Sequence, residues 1–130
     1  MVDINNLTRI KIDKNILRKL AQKVLTGEKK TRTEISIALV GPSEMQKLNK
    51  KYRQKNRPTD VLSFTYNDGG EIIICPQVVK KNAEKLKEAF KKELYLVLIH
   101  GILHALGYDH GKTRKDAQKM ELKQNYYLKK

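Results

Sequence analysis

Residues 94–106 read LYLVLIHGILHAL and lie in the longest apolar stretch of the chain. Their apolar side chains recur on nearly every side of a helix, which is typical of a helix buried in the centre of a domain. The stretch contains two histidines and is shorter than the ~20 residues that a membrane-spanning helix needs. We therefore predict a buried central helix in a soluble protein without a membrane segment.

The segments before this helix alternate between strand and helix patterns. Residues Leu7–Ile12 predict a first strand, and Asp13 is a candidate N-cap for a helix that Gly27 ends. Apolar residues alternate over Glu34–Val40, which predicts a half-buried strand. Residues Ser43–Gln46 match a capping box at the start of a short helix. The predicted apolar side chains of that helix are Met45, Leu48 and Tyr52.

Two further strands and the remaining helices complete the prediction. The β-rich runs Asp60–Tyr66 and Glu71–Cys75 flank the sequence NDGG at residues 67–70, which favours a hairpin. Pro76 suits the first turn of a helix, and Thr113 with Asp116 forms a second capping-box pair. The predicted apolar stripe of the helix after Pro76 consists of Val79, Ala83, Leu86 and Phe90. The last helix carries Ala117, Met120 and Tyr127.

This order of elements predicts the α+β class. We expect residues 1–130 to form one domain, in which a single small mixed β-sheet packs with several helices and one buried central helix. We expect no secretory leader, because residues 1–6 have neither a basic start nor an apolar run, and the lone Cys75 excludes an intrachain disulfide framework. Both features lead us to expect a cytoplasmic protein.

The charge of the chain is strongly positive. Its 28 Lys and Arg residues outnumber 14 Asp and Glu residues, for a formal net charge of +14. Such a charge attracts RNA, DNA and anionic membrane surfaces alike, and lysine can also simply fill solvated helix faces. Charge alone favours a nucleic-acid partner without identifying it.

The histidines are concentrated in one segment. All three lie at residues 100–110, as His100, His104 and His110. The first two are four apart on the predicted helix, so their rings project from one face. Gly107 can end the helix and turn the chain, which would let His110 approach as a third ligand. Three imidazoles suit Zn²⁺ and leave its fourth position open for water, so we predict one zinc ion per chain at a catalytic site.

This arrangement is similar to the metzincin motif His-Glu-x-x-His-x-x-Gly-x-x-His, with one departure. The motif's Glu is the general base of a metalloprotease, and this chain has Gly101 at that position. The protease chemistry is therefore disfavoured, although the metal-binding scaffold is kept.

Two more segments of the sequence narrow the choice of function. Residues 49–64 read NKKYRQKNRPTDVLSF, with five cationic side chains before a strand, and residues 70–74 read GEIII. Together with HGILHALGYDH at residues 100–110, they resemble the YbeY family of bacterial zinc-dependent endoribonucleases, which act in ribosomal RNA maturation. The resemblance covers roughly residues 35–120.

The resemblance implies specific roles for residues of this chain. His100, His104 and His110 match the zinc ligands of the family, and Arg53 matches its arginine beside the metal. Arg53 and His100 are thus the implied catalytic residues. Glu71 stands where the family often has Asp. Asp109 is either an acceptor that orients a ligand imidazole or simply a turn residue.

The function that follows is single-strand-specific, zinc-dependent endoribonuclease activity in the maturation and quality control of ribosomal RNA. The expected partners are single-stranded RNA and ribosomal subunits or ribosomal proteins. The base that accepts the proton of water is not identified; Asp60 and Glu71 are weak candidates. The alternatives are a non-catalytic ribosome-assembly factor with structural zinc, and a zinc hydrolase or protease-like enzyme acting on another substrate.

Overall fold

The computed structural model describes residues 1–108 and 113–129. Within them the strands are β1 (Val2–Asn6), β2 (Glu34–Leu39), β3 (Val61–Thr65) and β4 (Gly69–Ile74). The helices are α1 (Lys14–Gly27), α2 (Pro42–Arg53), α3 (Pro76–Leu86), α4 (Phe90–Ala105) and α5 (Arg114–Lys129). No helix among these described residues is long and apolar enough to cross a membrane.

The four strands form one mixed sheet in the order β1-β2-β4-β3. β1, β2 and β4 are parallel, whereas β3 runs antiparallel to β4 at the edge of the sheet. The predicted hairpin joins β3 to β4, and the backbone N–H of Tyr66 donates to the carbonyl of Gly69 at 2.8 Å. The predicted α+β fold with a small mixed sheet is confirmed.

The period-2 alternation of the strands divides the core between the two faces of the sheet. On one face, Ile37 of β2 and Ile72 of β4 pack in the larger hydrophobic cluster with side chains of α1 and α4. On the other face, Ile73 and Leu62 pack with Met45 of α2 in a smaller cluster. The helices α1 and α4 therefore cover one face of the sheet, and α2 covers the other.

Helix α4 is the central helix that its composition predicts. It packs on β3 and β4 of the sheet and also contacts α1, α3 and α5. Half of its 16 residues are buried, including Leu98, Ile99, Ile102 and Leu103, each with no exposed area. The helix ends where Gly107 adopts a positive φ of 105°, as its position in the sequence predicts.

The position of the first strand is a correction. The prediction over Leu7–Ile12 is wrong, because β1 lies one segment earlier and buries Val2 and Ile4. After β1 the side chain of Asn6 accepts a hydrogen bond from the backbone N–H of Thr8 at 2.9 Å and donates to the carbonyl of Ile10 at 2.9 Å. These bonds satisfy the backbone locally and replace the strand ladder there.

Two details of the helices also differ from the sequence prediction. The predicted capping box at Ser43 is wrong, because α2 begins at Pro42 with Gly41 as its N-cap and no side chain caps it. The proline ring sets φ for the first turn and needs no N–H partner there. Tyr52, predicted to pack in this helix, is 53% exposed.

The prediction of one helix with a single apolar stripe from Val79 to Phe90 is also wrong. Lys87 adopts a left-handed conformation with φ 56° and ends α3, so Phe90 begins a new helix and Leu86 is left 61% exposed. The other predicted starts are confirmed. Asp13 accepts from the N–H groups of Asn15 and Ile16, Pro76 opens α3, and the Thr113 hydroxyl accepts from the N–H of Asp116.

Candidate active site

A cleft lies between the middle of α4 and the C-terminal end of α2, across the edge strand β3. It has a volume of about 540 Å³. The side chains in its lining that can bind or react are Tyr52, Arg53, Asp60, Ser63, His100 and His104. The fold thus brings the candidate catalytic arginine and two of the three candidate metal ligands, separated by about 50 residues of sequence, into one site.

The two histidines are neighbours on α4. Their ring centroids are 4.6 Å apart, with the ring planes at 70°, as expected for residues four apart on one face of a helix. Both side chains are half-buried and lie in the apolar stretch of α4. Nδ1 of His100 lies 3.0 Å from the side-chain amide nitrogen of Gln124 on α5.

Hydrogen bonds from β3 hold α4 in place beside the cleft. The hydroxyl of Ser63 donates to the carbonyl of Gly101 at 2.8 Å, and the hydroxyl of Thr65 donates to the carbonyl of Ala105 at 3.3 Å. Because these two acceptors lie four residues apart on the helix, both bonds join the same side of α4 to the edge strand. The histidine-bearing turns are therefore anchored to the sheet.

Arg53 is the last residue of α2 and is exposed at the mouth of the cleft. Gln54 follows in a left-handed conformation and turns the chain away. The loop beyond it is tied back to α2, because the side-chain amide of the buried Asn49 donates to the carbonyl of Arg57 at 2.8 Å and that of Gln46 donates to the Asn56 side-chain oxygen at 3.0 Å. The cationic segment is thus held against the helix.

The aromatic ring of Tyr52 completes this wall of the cleft. It meets Phe64 of β3 edge-on, with centroids 5.0 Å apart and planes at 68°. Tyr52 is nevertheless 53% exposed, so part of the residue packs on the strand while another part faces solvent. The Nζ of Lys51 lies 5.2 Å from its centroid.

The two acidic candidates occupy different places. Asp60 lines the cleft, whereas Glu71 does not. Glu71 accepts a hydrogen bond from the Tyr66 hydroxyl at 3.2 Å. Because side chains alternate along β4, and Ile72 faces α4, Glu71 points to the opposite face of the sheet. Glu71 is therefore a poor candidate for the general base.

The third candidate ligand, His110, and its neighbour Asp109 lie outside the described residues. Among residues 1–108 and 113–129, no three His, Cys, Asp or Glu side chains are grouped so that they could hold a metal ion. The three-histidine zinc site therefore stays a prediction, of which the structure describes two ligands.

Sequence reasoning missed two features of this region. One is Gln124, whose position four residues after Met120 and three before Tyr127 places a polar side chain on the buried stripe of α5. That helical spacing is the signal in the sequence by which Gln124 could have been found. The other is Glu28, for which no local pattern exists, because its partners lie 80 to 99 residues away.

Glu28 lies just past α1 with its side chain only 6% exposed. Its carboxylate accepts hydrogen bonds from the hydroxyls of Tyr108, at 2.6 Å, and Tyr127, and from Nζ of Lys123 at 3.0 Å. Burial by itself raises the pKa of Glu28, but these donors outweigh it and lower the pKa below 4.5. Burial and the hydrogen bond to Glu28 raise the pKa of Tyr108, and the hydrogen bond to Glu28 raises that of Lys123. This cluster joins α1, the end of α4 and α5.

A family model shows how this chain is related to known proteins. The model of the family described as endoribonuclease YbeY matches residues 3–130. The chain belongs to the YbeY family. The match extends beyond the residues 35–120 on which the resemblance rests and includes β1 and α1, whose sequences alone do not identify the family.

Individual YbeY relatives are similar to this chain over most of its length and most of their own. A protein of Thermotoga neapolitana named endoribonuclease YbeY is 40% identical over 119 residues, covering 88% of this chain and 80% of that protein. Another of that name from Chlorobium luteolum is 34% identical and covers 98% of this chain and 95% of its own. The solution structure of a Thermotoga maritima protein superposes with a TM-score of 0.76 at 34% identity, covering 98% of this chain and 87% of that one.

Proposed function

We propose that this YbeY-family chain is a zinc-dependent endoribonuclease that hydrolyses single-stranded RNA in the maturation and quality control of ribosomal RNA. The observation that carries the proposal is the placement of Arg53, His100 and His104 in one cleft. The endoribonuclease names of its relatives support the same reaction.

The described residues fit a zinc ion. Two imidazoles four residues apart meet in one cleft, with ring centroids 4.6 Å apart, and neutral imidazole is a preferred zinc ligand. We assign His110 as the third ligand from its position in the sequence. A zinc ion held there would polarise the scissile phosphate and make a water molecule a better nucleophile.

Arg53 supplies the phosphate contact. Its guanidinium offers donors that match two phosphate oxygens at once, and it would stabilise the negative charge that develops on the phosphoryl oxygens as water attacks and an ester P–O bond breaks. Of the two acidic candidates, Asp60 is the carboxylate in the cleft lining. We assign Asp60 as the carboxylate that accepts the proton of the attacking water.

The surroundings of the cleft suit single-stranded RNA. The cations of residues 50–57 give affinity for the backbone without sequence selectivity. The exposed ring of Tyr52 offers a surface on which an unpaired base can stack. With a net charge of +14, the chain also suits rRNA within ribosomal subunits, with ribosomal proteins as neighbours in the cytoplasm.

Neither alternative function accounts for this cleft as well. A structural zinc site is normally closed by four protein ligands, and this segment of the sequence provides three histidines. A metalloprotease needs the general base that Gly101 does not provide.

The test is cleavage of a fluorescent single-stranded RNA by the purified, untagged protein, with the same sequence as a duplex for comparison. We expect about one zinc per chain by elemental analysis, cleavage of the single strand only, loss of cleavage with a chelator and its return with added Zn²⁺. The His100→Ala/His104→Ala double variant should lose zinc and activity together. Zinc-loaded protein that binds RNA without cutting it would contradict the nuclease and support the assembly factor.

A further inference from the structure

We propose that Gln124 is a positioning residue that selects the tautomer of His100, so that Nε2 of that ring binds the metal. This inference rests on the zinc site of the proposed function. It concerns a residue of α5 that none of the motifs includes.

The contact joins two half-buried side chains from different helices. The amide of Gln124 lies 3.0 Å from Nδ1 of His100. Met120 and Tyr127, on the same face of α5, are 1% and 3% exposed, so the backbone of the helix is fixed by packing on both sides of the glutamine. The amide therefore has a defined place beside the imidazole.

His100 lines two hollows. Its ring lines the main cleft and also a smaller hollow of about 180 Å³, whose other polar side chains are Asp60, Glu93 and Gln124. Besides Asp60, which also lines the main cleft, Glu93 is the second carboxylate acceptor in this hollow. Burial raises its pKa, and the charges of Asp60 and Glu88 raise it further, so a carboxylate there is electrostatically disfavoured. The neutral amide is the better suited acceptor.

The chemistry of the imidazole determines what Gln124 must do. In the structure the amide nitrogen faces Nδ1, and a donor at that distance pairs with an unprotonated Nδ1, which places the proton on Nε2. A histidine that binds a metal through Nε2 instead carries its proton on Nδ1 and donates it to an acceptor. Rotation of the Gln124 amide by 180° supplies that acceptor, because its oxygen then takes the place of its nitrogen.

Glutamine can pair with either tautomer of His100 by rotation of its amide group alone. Asparagine is too short to reach from the same backbone position, and an apolar side chain can neither donate nor accept. We infer that zinc binding and the amide rotation are coupled, so that Gln124 raises zinc affinity by stabilising the Nδ1–H tautomer of His100.

The first experiment measures the Kd of Zn²⁺ by competition with a chromophoric chelator. Gln124→Met preserves the length of the side chain and removes the acceptor, and should weaken binding about 10–100-fold. Gln124→Glu keeps an acceptor and should bind zinc more tightly than Gln124→Met by at least tenfold. Gln118→Met, at an exposed position of the same helix, and Glu93→Gln, in the same hollow, should bind like the wild type.

The second experiment reads the tautomer directly. ¹⁵N NMR of the histidine side chains in the zinc-loaded wild type should show Nδ1 of His100 protonated and Nε2 ligated. Gln124→Met with wild-type Kd, or ligation through Nδ1, would overturn the proposal. Circular dichroism verifies that each variant is folded before its Kd is compared.

RNA cleavage by the same samples separates this proposal from the nuclease. A wild type that binds zinc with the expected Gln124 dependence and does not cut RNA overturns the proposed activity but supports the positioning role. A wild type that binds no zinc overturns both.

Discussion

Gly101 of α4 lies directly against Ile72 of β4, so that a Cβ at position 101 would come within 2.9 Å of Cγ2 of Ile72. The residue after the first histidine therefore forms the contact between helix and sheet. In a metalloprotease this position carries the catalytic glutamate, which needs room for a long side chain. Here the close packing that positions His100 and His104 beside β3 excludes such a side chain.

We expect Gly101→Ala to lower the free energy of unfolding by about 1 kcal/mol. Alanine in a helix normally stabilises relative to glycine by about 1 kcal/mol, but the added methyl overpacks a buried contact, which typically costs about 1–3 kcal/mol. Urea unfolding of the wild type and the variant measures the difference.

The Ile72→Ala background provides the control. Once the isoleucine side chain is removed, Gly101→Ala should become stabilising, because the methyl group fills the space that Ile72 left. A Gly101→Ala effect of the same sign and size in both backgrounds would contradict the close contact.

Arg53→Ala should separate catalysis from metal binding. Arg53 is exposed at the end of α2 and lies on a different element from the histidines, so the variant should keep full zinc. If the guanidinium stabilises the transition state, its removal should slow RNA cleavage by about 10²–10³-fold. Single-turnover cleavage rates and elemental analysis on the same preparation test both parts.

Arg53→Lys should recover only part of this rate, because lysine restores the charge without the two-pronged donor geometry. Binding of uncleaved RNA should weaken far less than cleavage, since Arg53 is one of many cations. An Arg53→Ala protein with full zinc and the wild-type rate would remove Arg53 from the mechanism.

Glu28→Gln should destabilise the protein at neutral pH by about 2–3 kcal/mol, because it leaves Lys123 without its partner charge and replaces one acceptor oxygen with a donor. The pKa of Glu28 is lowered in the folded state. The stability that its carboxylate contributes is therefore complete above its ordinary pKa of about 4.5 and is lost as the pH falls through the lowered value.

Urea unfolding at pH 7 and below pH 4 tests this sign. The difference between the wild type and Glu28→Gln should be largest at pH 7 and should shrink in acid, where a protonated Glu28 resembles glutamine. Glu34→Gln removes the same charge from an exposed position and should change the free energy of unfolding by less than about 0.5 kcal/mol at either pH. A pH-independent Glu28→Gln effect would show that the charge of Glu28 is not what joins the helices.

Binding of single-stranded RNA should depend strongly on salt. The logarithm of the affinity should fall linearly with the logarithm of the salt concentration, by about 0.7 for each neutralised phosphate. Lys50→Glu/Lys51→Glu, beside the cleft, should reduce that slope by at least 1 and leave zinc content unchanged. Lys14→Glu/Lys19→Glu makes the same change in net charge on the exposed side of α1 and should leave the slope nearly intact. Equal slopes for the two double variants would indicate attraction to the overall charge rather than to a groove.

Features that depend on near neighbours along the chain can be predicted from the sequence alone. The apolar run at residues 94–106 predicts α4, period-2 alternation predicts β2, and His100 with His104 must share a face of a helix because they are four residues apart. The family also follows from sequence, because its motifs are contiguous segments.

Packing in three dimensions selects which of two candidate segments forms a strand and which distant residues come into contact. Alternating apolar residues occur both at Val2–Ile4 and at Ile10–Ile12, and only the pairing of Ile4 with Ile37 of β2 selects the first. Whether a segment forms a strand depends on the strand that it pairs with as much as on its own sequence. The contacts of Gln124 with His100 and of Glu28 with Tyr127 join side chains 24 and 99 residues apart. No pattern along the chain specifies such pairs, because they exist only once helix packing has brought α1, α4 and α5 together.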